Sequence, residues 1–108
     1  MSQRTHKVSS LIRQIVAAEL AGLPESAYLT VTNVEVSPDL RQATVWIGII
    51  AKTEEEAAKL FKAALGAQNH FQTAVARGLT TKFTPRLTIK HDSSGAYAED
   101  ISRLIKGL

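Results

Sequence analysis

Basic side chains are the residues of this sequence whose type and spacing most clearly suggest a chemical task. Residues 57 to 91 contain no aspartate or glutamate, whereas residues 1 to 50 contain four basic and four acidic side chains, which cancel. The basic residues of the acid-free stretch are Lys59, Lys62, Arg77, Lys82, Arg86 and Lys90, accompanied by His70 and His91. A basic region of this kind predicts a polyanionic partner, such as a nucleic acid.

Catalytic and metal sites find little support in the remaining residues. The sequence has no cysteine, so only histidines and carboxylates could bind a metal ion. His91 precedes Asp92, but neighbouring residues of a strand point to opposite faces, so a metal-dependent hydrolase built on this pair is a weak alternative. The common phosphate-binding and hydrolase motifs are absent. We therefore expect a binding protein without catalytic activity, metal or cofactor.

Length and hydropathy bound the organisation of the chain. With 108 residues it is long enough for one hydrophobic core and too short for two, which predicts a single domain over residues 1–108. No apolar run approaches the roughly 18 residues that cross a bilayer, and the polar start lacks the apolar segment of a signal peptide. We expect a cytoplasmic protein that does not bind membranes.

The hydrophobic pattern predicts an α+β domain with the element order α-β-β-α-α-β-α. Helical spacing predicts helices over residues 4 to 22, from the Thr53 cap to about 65, from 68 or 69 to 79, and a short last helix marked by Tyr97, Ile101, Leu104, Ile105 and Leu108. β-branched residues predict strands over 28 to 36 and 43 to 50, joined by a Ser-Pro-Asp turn, and a third strand after Thr84-Pro85. Trp46, in the second strand, is expected to face the core or a partner.

The helical spacing is interrupted once, in the sequence LGAQNHF at residues 65 to 71. Apolar residues keep helical spacing up to Leu65 and resume it at Phe71, with Gly66, Gln68 and Asn69 between them. Glycine and asparagine are the residues that most readily adopt a left-handed backbone. We therefore expect an irregular break between two helices at this point.

Two segments resemble the bacterial ribosome-binding factor A family, and the resemblance extends over essentially the whole chain. The hairpin VTNVEVSPDLRQATVWIG fits the family signature V-x-V-S-P-D-L-x-x-A-x-V, and PRLTIKHDSS fits its last strand. The matching residues are Val34, Val36, Ser37, Pro38, Asp39, Leu40, Ala43 and Val45, followed by Pro85, Leu87, Ile89 and Asp92. The α-β-β-α-α-β order is also that of a type II KH-like domain. The resemblance implies that fold, with a short C-terminal helix and a three-stranded sheet covered by helices on one face.

The resemblance also implies a function. It suggests a ribosome assembly factor that binds the immature 30S subunit and 16S rRNA near its 5′ end, and that is required for late small-subunit maturation and 16S pre-rRNA processing. It implies no catalysis, and we expect a monomer when the protein is free. The alternative is a small ferredoxin-like regulatory or interaction domain in which the basic residues are incidental.

Finally, the resemblance points to candidate RNA-binding residues. KH domains clamp nucleic acid with a G-x-x-G loop between two helices, and in this family an Ala-x-Gly kink replaces that loop. The kink matches Ala67, Gln68 and Asn69, with asparagine at the glycine position, and Gln72 stands where the family tends to carry arginine. One phosphate contact is therefore expected to be missing. The predicted RNA-binding residues are Lys59, Lys62, Ala67, Gln68, Asn69, His70, Arg77, Lys82, Arg86 and Lys90.

Overall fold

The computed structural model describes residues 3–80 and 83–93. Its elements in chain order are α1 (Gln3–Leu20), a short 3-10 helix (Ser26–Tyr28), β1 (Leu29–Val36), β2 (Gln42–Ile49), α2 (Glu54–Gly66), α3 (Gln68–Gly78) and β3 (Arg86–His91). This confirms the predicted α-β-β-α-α-β order, and only the 3-10 helix was not anticipated. The predicted C-terminal helix lies outside the described residues.

The three strands form one mixed sheet in the order β1-β2-β3. β1 and β2 pair antiparallel as the predicted hairpin, with a bulge between Val31 and Asn33. β2 and β3 pair in parallel, because α2 and α3 return the chain to the end of the sheet at which β2 begins. β1 and β3 are therefore the two edge strands.

The hydrophobic core lies between one face of this sheet and the three helices, as predicted. Alternate residues of each strand are buried on that face, and the stripes of α1 and α3 pack onto it. The buried side chains include Ile12 and Val16 of α1, Val34 of β1, Val45 and Ile47 of β2, Phe71 and Val75 of α3, and Leu87 and Ile89 of β3. The opposite face of the sheet carries the polar and basic alternates. The fold thus has a helix side and a sheet side.

The hairpin turn is held by its own signature residues. The Leu40 amide donates to the Ser37 carbonyl at 2.9 Å, which closes the turn around Pro38. Asp39 Oδ1 accepts from the Ser37 hydroxyl at 2.6 Å and from the Arg41 amide at 3.1 Å. These hydrogen bonds, the one from Ser37 first, lower the pKa of Asp39 below its ordinary value. The signature therefore serves the geometry of the turn.

The predicted N-cap of α2 is confirmed with one difference. Thr53 Oγ1 accepts from the Glu56 amide at 3.1 Å, while Glu56 Oε2 accepts from the Lys52 amide at 3.2 Å, one residue before the cap. In a standard capping box the glutamate returns to the cap residue itself. The start of α2 is fixed in either case, and so is the position of the basic residues one and two turns later.

Candidate nucleic-acid interface

The break between α2 and α3 is a single residue. α2 ends at Gly66, α3 begins at Gln68, and Ala67 between them has φ −93° and ψ 3°. The expected break is confirmed, and its backbone is not left-handed: of the described residues, Leu40 is the only non-glycine with positive φ, and none of the described glycines has one. Ala67 lies in the bridge region, where φ is negative, so neither glycine nor asparagine is needed for its conformation. Asn69 lies in the first turn of α3.

This break leaves the first backbone amides of α3 without a side-chain cap. The first amides of a helix have no acceptor within the helix, and the N-cap residue Ala67 offers no side-chain oxygen to them. Such amides can donate to phosphate. The carboxyl end of α2 adjoins the same point, however, and its partial negative charge offsets part of the positive end of α3. Attraction for phosphate must therefore come mainly from neighbouring side chains.

Two glutamines of α3 attach the helix to β3. The Gln68 side-chain amide donates to the Leu87 carbonyl at 2.8 Å. Gln72 donates to the Pro85 carbonyl at 2.8 Å and accepts from the Leu87 amide at 2.9 Å. Both side chains are thus engaged by the outer edge of β3. Gln72 thus has a structural role, the missing phosphate contact stays a prediction, and the amide nitrogen of Gln68 is occupied.

Five of the predicted residues share the exposed side of α2 and α3, which we call the helix-side surface. Its members are Lys59 and Lys62 of α2 and Asn69, His70 and Arg77 of α3. Helical spacing places Lys62 one turn and Lys59 two turns before Gly66, at the end of α2. His70 Nε2 is 3.1 Å from Glu19 Oε2 of α1, with side chains 64% and 35% exposed. Arg77 lies further along α3, in the groove that α3 forms with α1.

Two other predicted residues lie on the opposite side of the molecule, which we call the sheet-side surface. Arg86 and Lys90 are exposed and alternate along β3 with the buried Leu87 and Ile89, so they point away from the helices. Lys90 Nζ lies 5.5 Å from the centre of the half-buried Trp46 ring. The site predicted from the sequence therefore combined residues that the fold places on two different sides of the molecule. Lys82 lies outside the described residues.

His91 and Asp92 do not converge on a common site. The His91 ring stacks at a tilt on Phe61 of α2, with ring centres 5.8 Å apart. Asp92 Oδ2 accepts from the Thr32 hydroxyl at 2.6 Å, which ties the bulge of β1 to the end of β3. Within residues 3–80 and 83–93, no three histidines or carboxylates are grouped as a metal ion requires. Nor does this part of the chain contain a helix long and apolar enough to span a bilayer.

Comparison with known proteins identifies the family. The family model for ribosome-binding factor A matches residues 4–105 of the chain. This chain belongs to the ribosome-binding factor A family. The ribosome-binding factor A of Thermomicrobium roseum is 36% identical over 109 residues, which cover 97% of this chain and 83% of the relative. The resemblance seen in the hairpin and the last strand is thereby confirmed.

Solved structures of the same family share the fold. The crystal structure of ribosome-binding factor A from Thermus thermophilus is 23% identical, with a TM-score of 0.65, and the match covers 79% of this chain and 92% of that one. A homology model of the Thermus thermophilus factor, fitted into a cryo-EM map of a 30S complex, has a TM-score of 0.66. The match covers 85% of this chain and 99% of that one. At this identity the likeness shows the fold alone.

Proposed function

We propose that this protein is an RNA-binding assembly factor of the small ribosomal subunit. In this proposal it binds immature 30S subunits and 16S rRNA near the 5′ end, and supports late maturation and 16S pre-rRNA processing. Membership of the ribosome-binding factor A family supports this function, as does the fit of a relative into a map of a 30S complex. The observation that carries it is the basic helix-side surface beside a helix start with uncapped amides.

The helix-side surface suits contact with an RNA backbone. Lys59 and Lys62 are exposed, and neither takes part in an ion pair within the described residues. Their charges attract phosphates, while the first amides of α3 and the exposed side chain of Asn69 supply directional hydrogen-bond donors. The nearby aromatic ring of Phe71 is fully buried and cannot stack on bases. The protein would therefore recognise RNA through backbone and shape rather than by base stacking.

The remaining predicted residues take lesser parts in this proposal. Gln68 contributes its backbone amide. Ala67 has no side-chain oxygen, so it leaves the first amides of α3 available to phosphate. His70 and Arg77 extend the positive surface toward α1, and Arg86 and Lys90 add general attraction from the sheet side. The protein acts without catalysis and without a metal or cofactor, in the cytoplasm, and as a monomer when free.

Binding and maturation can be tested separately. Purified protein should co-sediment with 30S precursors at low salt, and a strain that lacks the factor should accumulate 16S precursors with unprocessed 5′ ends. The wild-type gene should restore processing, whereas a Lys59→Glu, Lys62→Glu variant with normal thermal stability should not. A stable homodimer that does not associate with ribosomal subunits would instead support the ferredoxin-like interaction domain.

A further inference from the structure

The two edge strands differ in the hydrogen bonding of their outward backbone groups. The outer edge of β3 is occupied at Pro85 and Leu87 by the side-chain amides of Gln68 and Gln72. β1 forms the other edge, since among residues 3–80 and 83–93 it pairs only with β2. An unprotected edge strand is a template for a further strand, so proteins usually cover or interrupt it.

The hairpin register shows which groups of β1 face its free edge. The Ser37 amide donates to the Gln42 carbonyl, and the Ile50 amide donates to the Tyr28 carbonyl. In an antiparallel pair, hydrogen-bonded residues alternate with residues whose backbone groups point outward. Counting back from Ser37, the outward residues are Val36 and Val34, which pair with Ala43 and Val45. Their amides and carbonyls have no hydrogen-bond partner among residues 3–80 and 83–93, while their side chains face the core.

These free groups border a groove of about 540 Å³ between α1 and β1. Three of the five residues that line it on the α1 side carry short hydroxyl side chains. The residues of the groove are Thr5, His6, Ser9, Ser10 and Arg13 of α1, with Asn33, Val34, Glu35 and Val36 of β1. Its arginine and its glutamate have opposite charges, and the groove therefore lacks the basic character of the helix-side surface.

We propose that this groove binds an extended polypeptide segment, which adds a strand to the free edge of β1. Amides and carbonyls alternate along that edge, and another extended polypeptide presents the complementary pattern at the same spacing. RNA matches this pattern less well, because its phosphates only accept hydrogen bonds and its 2′-hydroxyls would have to donate to the carbonyls of Val34 and Val36. Arg13 favours a carboxylate in the segment. The proposal rests on the proposed function in one respect: the segment belongs to a protein of the 30S subunit.

The matched variants Val36→Pro and Val36→Ala test this strand addition. Both replace the branched side chain of valine, but only proline removes the amide that points to the free edge, and the β1–β2 ladder keeps its hydrogen bonds. Affinity for 30S subunits should fall about three- to tenfold for Val36→Pro relative to Val36→Ala, which corresponds to one backbone hydrogen bond. Thermal unfolding of both variants shows whether they are folded. Equal affinities of two folded variants would overturn the proposal.

A photo-crosslinking residue in place of the exposed Ser10 gives a second readout that does not depend on the proline variant. In the complex with 30S subunits, it should crosslink to a ribosomal protein. Crosslinks to rRNA alone, or to a second copy of this chain, would overturn the groove assignment. If the wild-type protein binds 30S subunits while these tests fail, only the groove proposal is wrong. If the wild-type protein does not bind them, the proposed function is wrong as well.

Discussion

The helix-side and sheet-side surfaces carry the same sign of charge but differ in what surrounds their cations. Lys59 and Lys62 on the helix side are exposed, and the uncapped start of α3 follows the end of their helix after one residue. On the sheet side, Lys90 lies over the Trp46 ring, and the exposed Glu35 stands on the same face two strands away. Charge alone therefore does not define the interface. The helix side combines exposed cations with hydrogen-bond donors, whereas one cation of the sheet side already covers an aromatic ring.

The largest expected effect separates these two surfaces by charge reversal. Lys59→Glu, Lys62→Glu should weaken binding to 30S precursors on the order of ten- to hundredfold, because two phosphate contacts become repulsive. The matched change Arg86→Glu, Lys90→Glu makes the same change of net charge on the opposite side. It should cost much less. The affinities of both variants are measured by filter binding or co-sedimentation. An equal decrease for both would contradict the assignment of the interface to the helix-side surface.

The second prediction concerns the attachment of α3 to β3, which joins the two sides. Gln72→Leu keeps the volume of the side chain but leaves the Pro85 carbonyl and the Leu87 amide without their partner. Leaving such half-buried groups unpaired should lower the free energy of unfolding by about 1–3 kcal/mol. Denaturant unfolding measures this, with Thr73→Ala on the exposed side of α3 as a control. Unchanged stability of Gln72→Leu would show that the amide does not hold α3 in place.

The third prediction uses Gly66, which lies next to Ala67 at the end of α2. A Cβ there would meet nothing within 4 Å, and the backbone has no positive φ. Gly66→Ala should therefore stabilise the fold by about 0.5–1 kcal/mol, as measured by denaturant unfolding. If the RNA backbone passes close to this residue, the same variant should bind 30S precursors more weakly despite its higher stability. Gly78→Ala is the contrasting case, because its Cβ would lie 2.5 Å from Ile15 Cδ1.

The smallest effect is expected at the hairpin turn, which belongs to neither surface. Hydrogen bonds from Ser37 and Arg41 lower the pKa of Asp39 below 3.8. The stabilisation is therefore complete above the unfolded-state pKa and is lost as the pH falls through the lower, folded-state pKa. An NMR titration of the carboxyl group should show a midpoint below the ordinary value. Asp39→Asn should leave 30S binding unchanged, and a marked decrease in affinity would contradict the structural role of the turn.

Sequence patterns predicted the elements well because those patterns are local. The alternation of β1 and β2, the cap at Thr53 and the break before Phe71 each depend on a few neighbouring residues. The same alternation in β3 implies that Arg86 and Lys90 lie opposite Leu87. Whether the break between α2 and α3 lies on the side of Leu87 or on the side of Arg86 and Lys90 depends on how the whole chain folds. A single run of basic residues in the sequence therefore became two surfaces.

The roles of individual polar residues were harder to predict. Gln68 and Gln72 are one helical turn apart, and this spacing was the available signal for a shared partner. Their partner is the edge of β3, and that contact forms only in the folded chain. Asn69 was matched to the glycine position of the family's kink, but the break falls on Ala67 and leaves Asn69 within the helix. Its side chain is exposed, so Asn69→Gly tests for a direct contact rather than for backbone geometry.

The salt dependence of binding tests the central claim most directly. The affinity for a 16S rRNA fragment from the 5′ region, or for the 30S precursor, is measured over a range of salt concentrations for the wild type and both double variants. The slope of log affinity against log salt should decrease by roughly 0.7 to 0.9 for each phosphate that a variant no longer neutralises. On this relation, Lys59→Glu, Lys62→Glu should flatten the slope by the amount expected for the loss of about two phosphate contacts, and Arg86→Glu, Lys90→Glu should change it little. An unchanged slope in the helix-side variant, with a flattened slope in the sheet-side variant, would contradict the account.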